Sequence, residues 1–252
     1  MKVVIAGKGG VGKTMVAGTL ARALSRSGHD VLAVDCDANP MLGISLGLGA
    51  GRTEELVSAR EGLETGETEH QPTAAGMVDA FGTEAPNGVR LVVAARVEQV
   101  EPGCMCCGVS PERLLSDLEG ERGMVIGDLE AGTGTLMRMQ EGAANLAMIV
   151  TQPTAKAMQV ARHALAAAEL REIPAVLIAN RMRSEEDLEL IREALGPQLK
   201  IAQAIALVPD DEAVARADQD GLAPADTASG SPGVLAVERL AERVSELATT
   251  AR

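Results

Sequence analysis

Aromatic side chains are nearly missing from this chain. It has one, Phe81, and neither Trp nor Tyr in 252 residues, so a core has to be assembled from Ala, Val, Leu, Ile and Met. Positive charge is also scarce: 23 basic against 36 acidic residues give a net charge of −13. Such a balance repels phosphate backbones and anionic lipid unless a local basic patch intervenes, so neither nucleic acid nor membrane is expected as a partner. No apolar run approaches the roughly 18 residues of a membrane span, and residues 1–6 lead straight into a glycine loop instead of a signal peptide. A soluble, cytoplasmic protein is the expectation. The three histidines, His29, His70 and His163, show no ligand spacing and read as surface residues. Of four cysteines, Cys104, Cys106 and Cys107 lie too close together to staple a fold, and Cys36 is far off in sequence. That pattern suits a reducing compartment and a soft-metal site.

What is present is a chain 46% hydrophobic, enough to fold, and of a length ordinary for one α/β domain spanning residues 1–252. Short β-type runs at 3–6, 31–35, 91–95, 124–128, 146–151, 175–180 and 201–207 are apolar on both faces, as buried parallel strands are. Helical patterns at 13–27, 111–119, 155–170 and 185–195 fall between them. This βαβ rhythm predicts a single doubly wound, mostly parallel sheet with helices on both faces. Residues 51–87, acidic and turn-rich, read as a surface insertion with a helix or two. A last helix at 234–247 carries Val234, Val237, Leu240, Val244 and Leu247 at helical spacing and is expected to pack on the sheet.

Gly7-Lys8-Gly9-Gly10-Val11-Gly12-Lys13-Thr14 follows a strand and precedes a helix, the context that gives this motif its mechanism. Glycines let backbone N–H groups turn inward around phosphates at the helix N-terminus. Lys13 neutralises the β/γ oxygens of a triphosphate, and Thr14 offers a hydroxyl to Mg²⁺. Gly7, Gly9, Gly10, Val11, Gly12, Lys13, Thr14 and Met15 are thus candidate ATP/ADP contacts, with Met15 expected to face the core. Lys8, a second lysine just after the first glycine, resembles the signature of the deviant Walker A ATPases. These include the Min and Par ATPases, nitrogenase iron protein, arsenite-pump ATPases and nickel-insertion ATPases. The resemblance implies that Lys8 crosses to the partner's phosphates in an ATP-dependent homodimer.

Two carboxylate elements end later strands, where parallel sheets place ligand groups. Asp35-Cys36-Asp37-Ala38-Asn39-Pro40 resembles the family's first switch, which implies that Asp37 orients the attacking water while Asp35 supports the Mg²⁺ shell. Gly127-Asp128-Leu129-Glu130-Ala131-Gly132 resembles the second switch, implying an Mg²⁺ role for Asp128 and γ-phosphate sensing by a nearby glycine. Cys36 reads as a packed small residue. Asn180-Arg181-Met182-Arg183 is similar to a base-reading segment of the superfamily, but its fourth place holds Arg183 where a guanine reader needs aspartate, so adenine is favoured. Leu207-Val208-Pro209-Asp210-Asp211-Glu212-Ala213-Val214 resembles the family segment that closes over the adenine, which implies contacts from Val208, Pro209 and Asp210.

In an extended segment Cys104 and Cys106 project to one face, whereas Cys104 and Cys107 make a Cys-x-x-Cys pair. Either pair supplies two ligands, and a symmetric dimer would supply four; their softness allows Ni²⁺, Zn²⁺, Cu⁺ or an iron–sulfur cluster and disfavours Mg²⁺ or Ca²⁺ there. Cys-x-Cys followed by Pro111-Glu112-Arg113-Leu114-Leu115 is similar to the nickel-insertion ATPases of carbon monoxide dehydrogenase maturation, which implies a client of that kind. The sequence departs from them in Cys107 and in lacking a histidine-containing run after Gly132. An iron–sulfur carrier ATPase is the second reading, and a Min- or Par-like spatial regulator the third. Against the last stands the final helix, whose Glu238, Glu242 and Glu246 balance its arginines.

Overall fold

The computed structural model describes residues 1–62, 73–94, 110–118 and 123–250. Eight strands form one sheet: β1 (Lys2–Gly7), β2 (Val31–Cys36), β3 (Thr83–Ala85), β4 (Val89–Val93), β5 (Met124–Leu129), β6 (Leu146–Thr151), β7 (Ala175–Met182) and β8 (Ala202–Pro209). Their order is β3-β4-β2-β5-β1-β6-β7-β8. All pairings are parallel except β3 with β4. Every residue of β2, β5 and β6 is buried, as the continuous apolar runs require of strands covered on both faces.

The helices sort into two layers. On one face α1 (Lys13–Arg26), α2 (Leu42–Leu46) and α11 (Pro232–Thr250) cover Val3, Ile5, Ala33 and Ile126 through Leu20, Leu24, Leu46, Val237 and Leu240. On the other, α4 (Ala74–Phe81), α5 (Pro111–Asp117), α6 (Gly134–Arg138), α7 (Ala155–Leu170) and α8 (Glu185–Leu195) cover Val4, Val34, Val125 and Ile149. Fully buried Leu, Ile and Met fill the space that aromatics would occupy elsewhere, each worth about 1.5–3 kcal/mol of burial. The helices α3 (Gly49–Gly62), α9 (Glu212–Gln219) and α10 (Pro224–Thr227) complete the chain.

The seven expected strands and the main helices are found, with α7 and α8 at their expected bounds. The structure corrects three expectations. The 51–87 stretch carries α3 and α4 but also donates β3, so it is in part an antiparallel rim of the sheet. β8 is not covered on both faces: it is the opposite rim, and Leu207 is 45% exposed. Leu247 stands 52% exposed, beyond the reach of the stripe that packs the rest of α11. No helix among the described residues is long and apolar enough to cross a membrane.

Candidate functional site

β1 lies between β5 and β6, so the loop leaving its C-terminal end emerges at the middle of the sheet. Gly7 can only be glycine: an added Cβ would sit 2.3 Å from the Val150 carbonyl oxygen. Gly12 turns the chain into α1 with φ 95°, and the Asn180 Nδ2 lies 2.4 Å from where its Cβ would be. α1 begins at Lys13 with no side-chain cap and no acidic residue in its first turn. Its leading N–H groups and positive dipole end therefore face the loop unspent, which is the condition for holding an anion. Lys13 is only 6% exposed.

A cavity of about 630 Å³ opens beside this helix end. Gly10, Gly12, Lys13, Thr14 and Met15 form one wall, Asn180, Arg181, Val208, Pro209 and Asp210 another. Two motifs separated by most of the chain thus meet around one volume of nucleotide size. Met15 does not simply face the core as expected: it is half-buried, packs on the core and also lines the cavity. Asn180, 3% exposed, donates from Nδ2 to the Val11 carbonyl at 2.7 Å and accepts the Arg181 N–H at 2.9 Å. It braces the loop as well as bordering the cavity, and the Arg181 that follows has φ 57°. Val11 itself sends its side chain into the core, leaving only its backbone for a ligand. Arg183, at the place of the guanine-reading carboxylate, is paired with Asp187.

Asp211 and Val214, in the segment expected to close over the adenine, line the cavity, as do Met41, Ile44 and Ser45, around α2, and Asp218, Leu222 and Pro224, to which the sequence did not point. Asp211 is also the N-cap of α9. Its Oδ1 accepts from the N–H groups of Ala213 and Val214, and its Oδ2 from Gly233 N–H at 2.7 Å, joining α9 to the start of α11.

The predicted carboxylates gather at the strand ends. Asp35 and Asp128 are register partners on β2 and β5, each 1% exposed. Burial pushes both upward from the ordinary carboxylate range, and for Asp35 the Asp128 charge adds to this; the Thr14 hydroxyl and Lys13 pull Asp128 back down. Asp35 accepts N–H groups of Asp37 at 3.1 Å and Leu42 at 2.8 Å, fixing the turn between β2 and α2. Asp37 is half-buried and accepts the Asn39 N–H at 3.0 Å. Asp128 Oδ1 is buried without a hydrogen-bond partner. A buried, orphaned carboxylate oxygen beside a threonine hydroxyl and a lysine fits a hydrated divalent cation. Lys8 folds back, donating from Nζ to the Gly9 carbonyl at 3.0 Å. Cys36 is buried at 3% exposure within the core, as expected. Cys104, Cys106 and Cys107 lie outside the described residues, and among the described residues no cluster of three or more His, Cys, Asp or Glu is placed to hold a metal.

Glycine loop, uncapped helix, strand-end carboxylates and sheet order together define a P-loop ATPase. The chain belongs to the CobQ/CobB/MinD/ParA nucleotide binding domain family, which matches residues 2–225. It is 31% identical over 237 residues to the carbon monoxide dehydrogenase accessory protein CooC of Rhodospirillum rubrum, with 88% of each chain covered. It is 32% identical over 230 residues to an uncharacterized ATP-binding protein of Methanocaldococcus jannaschii, covering 86% of this chain and 88% of that one. Among solved structures, the septum site-determining protein MinD of Pyrococcus horikoshii, complexed with Mg-ADP, shares the fold at a TM-score of 0.69 and 21% identity, covering 98% and 96% of the chains.

Proposed function

We propose that this ATPase is a metallochaperone: ATP closes a homodimer, the closed dimer completes a thiolate site for one soft metal ion, probed first as Ni²⁺ with Zn²⁺ as the alternative, and hydrolysis reopens it for delivery to a metalloenzyme. The observation that carries this reading is the Cys104-Met105-Cys106-Cys107 run in a chain 31% identical to a carbon monoxide dehydrogenase accessory protein. A carbon monoxide dehydrogenase-like client follows from the same likeness.

The residues take these roles. Lys13 and the first N–H groups of α1 bind the β/γ-phosphates, and Thr14 with Asp128 would hold Mg²⁺. When bound, that ion neutralises phosphate charge. Asp35 supports its shell by fixing Asp37 through the Asp37 N–H, and Asp37 orients the attacking water. Lys8 leaves the Gly9 carbonyl to reach the partner's phosphates, a cheap exchange for an exposed side chain. Asn180, Arg181, Val208, Pro209 and Asp210 enclose the adenine. Nucleotide state thus biases a two-state dimer, and the metal site is assembled or dismantled with it.

Metal content with and without a non-hydrolysable ATP analogue tests the proposal, in wild type and in Cys104→Ala, Cys106→Ala and Cys107→Ala. About one ion per two chains is expected, lost on replacing Cys106 and at least one other cysteine. Equal metal binding after all three changes would reject the site. The Cys104-x-x-Cys107 spacing favours a second reading, an iron–sulfur carrier; brown protein with charge-transfer absorption after anaerobic purification would select it.

A further inference from the structure

Glu112 joins two helices. It occupies the first turn of α5, and the chain enters that helix from Cys107 through Gly108, Val109 and Ser110. The Glu112 side chain is 12% exposed, and its Oε1 accepts from Arg138 Nε at 2.8 Å. Its Oε2 is buried without a hydrogen-bond partner. Arg138 ends α6, the short helix that follows the Asp128–Gly132 loop. Its guanidinium folds back along its own helix: Nη2 donates to Thr135 Oγ1 at 3.4 Å, and Nη1 lies 3.1 Å from where a Cβ on Gly134 would sit. Burial holds the Cys36 thiol above its ordinary range, and the charges of Asp35, Asp128 and Glu112 add to it.

Exposed ion pairs hold elements together weakly. This one differs because the Glu112 side chain is only 12% exposed. Separating α6 from α5 would strand a buried charge, so the two elements are constrained to move together. The helix that directly follows the loop that would feel a γ-phosphate is thereby fastened to the helix that follows the cysteine run in sequence.

We propose that Arg138 is a positioning residue that acts through Glu112: a displacement of the Asp128–Gly132 loop is passed from α6 to α5 and so to the chain entering from Cys107. The purpose of this link rests on the metallochaperone reading; its mechanics do not. Because coupling between two binding sites is reciprocal, metal binding should tighten the ATP analogue by the same factor that the analogue tightens metal.

Hydrogen exchange of residues 110–118 in the full chain, with Mg-ADP and with Mg²⁺ and a non-hydrolysable ATP analogue, tests the link. In wild type the analogue should slow exchange there relative to ADP. Arg138→Gln should abolish that difference while still binding the analogue, and Arg138→Lys, which keeps the charge but not the planar fork, should restore part of it. Ni²⁺ titrations on the same proteins form a second arm, in which the ratio of affinities between the two nucleotide states collapses toward unity in Arg138→Gln. An equal response of 110–118 in wild type and Arg138→Gln, or none in wild type, overturns the link. A wild type that shows the exchange response but binds no Ni²⁺ in either state supports the link and sinks the metal reading.

Discussion

Gly132 donates its N–H to the Gly7 carbonyl at 3.0 Å, an antiparallel bridge that stitches the loop after β5 to the first residue of the phosphate loop. Both ends of that bond have positive φ, 153° at Gly7 and 100° at Gly132. Gly7 abuts the Val150 backbone, whereas Gly10, at φ 79°, has no atom within 4 Å of an added Cβ. Gly10→Ala should therefore cost only its backbone strain, about 1–2 kcal/mol. Gly7→Ala should cost more and also lose ATP binding, because β1 and β6 must separate to admit the methyl group. Urea denaturation of both variants checks the order, and equal losses would mean that the steric account of Gly7 is wrong.

Lys8 and Lys13 should separate binding from assembly. Lys13→Ala is expected to abolish ATP binding or turnover. Lys8→Ala should still bind ATP but stay monomeric, since among the described residues the Lys8 Nζ hydrogen-bonds only the adjacent Gly9 carbonyl. Light scattering with a non-hydrolysable analogue decides, and normal assembly of the Lys8 variant would remove the cross-subunit role.

Asn180→Ala would leave the Val11 carbonyl and the Arg181 N–H without the partners they have at 2.7 and 2.9 Å. A stability loss of about 1–3 kcal/mol and weaker ATP binding should appear together, in denaturation and in nucleotide titration. If affinity falls while stability is unchanged, Asn180 touches the base without bracing the loop.

Arg22, 4% exposed on α1, donates to Asn87 at 2.8 Å and to Asp226 of α10 at 2.6 Å. The hydrogen bond from Arg22 holds the Asp226 carboxyl below its ordinary range. A lowered folded value means the pair stabilises fully above the unfolded carboxylate value of about 3.9 and loses its effect as pH falls through the lower folded one. Asp226→Asn should lower the thermal midpoint at neutral pH, with the gap to wild type closing in strong acid. A gap that does not change with pH would assign the effect to packing.

The sequence foretold the central strands because burial on both faces demands unbroken apolar runs. It could not foretell β3, since Thr83-Glu84-Ala85 is three residues long with little apolar character and becomes a strand only by pairing with β4. β8 looked like the others because its Ala, Ile, Leu and Val suit a core; rim position, a property of topology, exposes it. At the site, the loop and the switch aspartates were legible as local motifs. The bracing of the loop by Asn180 joins residues 169 apart, and the Glu112–Arg138 pair joins two helices, so neither leaves a local pattern to read.

Both rims of the sheet are thinly guarded, β3 by its brevity and β8 by its exposure, while β1 and β5 share the middle. Fraying should therefore begin at the flanks and reach the nucleotide cradle last. Such a molecule could surrender and regain its margins while its grip on the triphosphate stays intact.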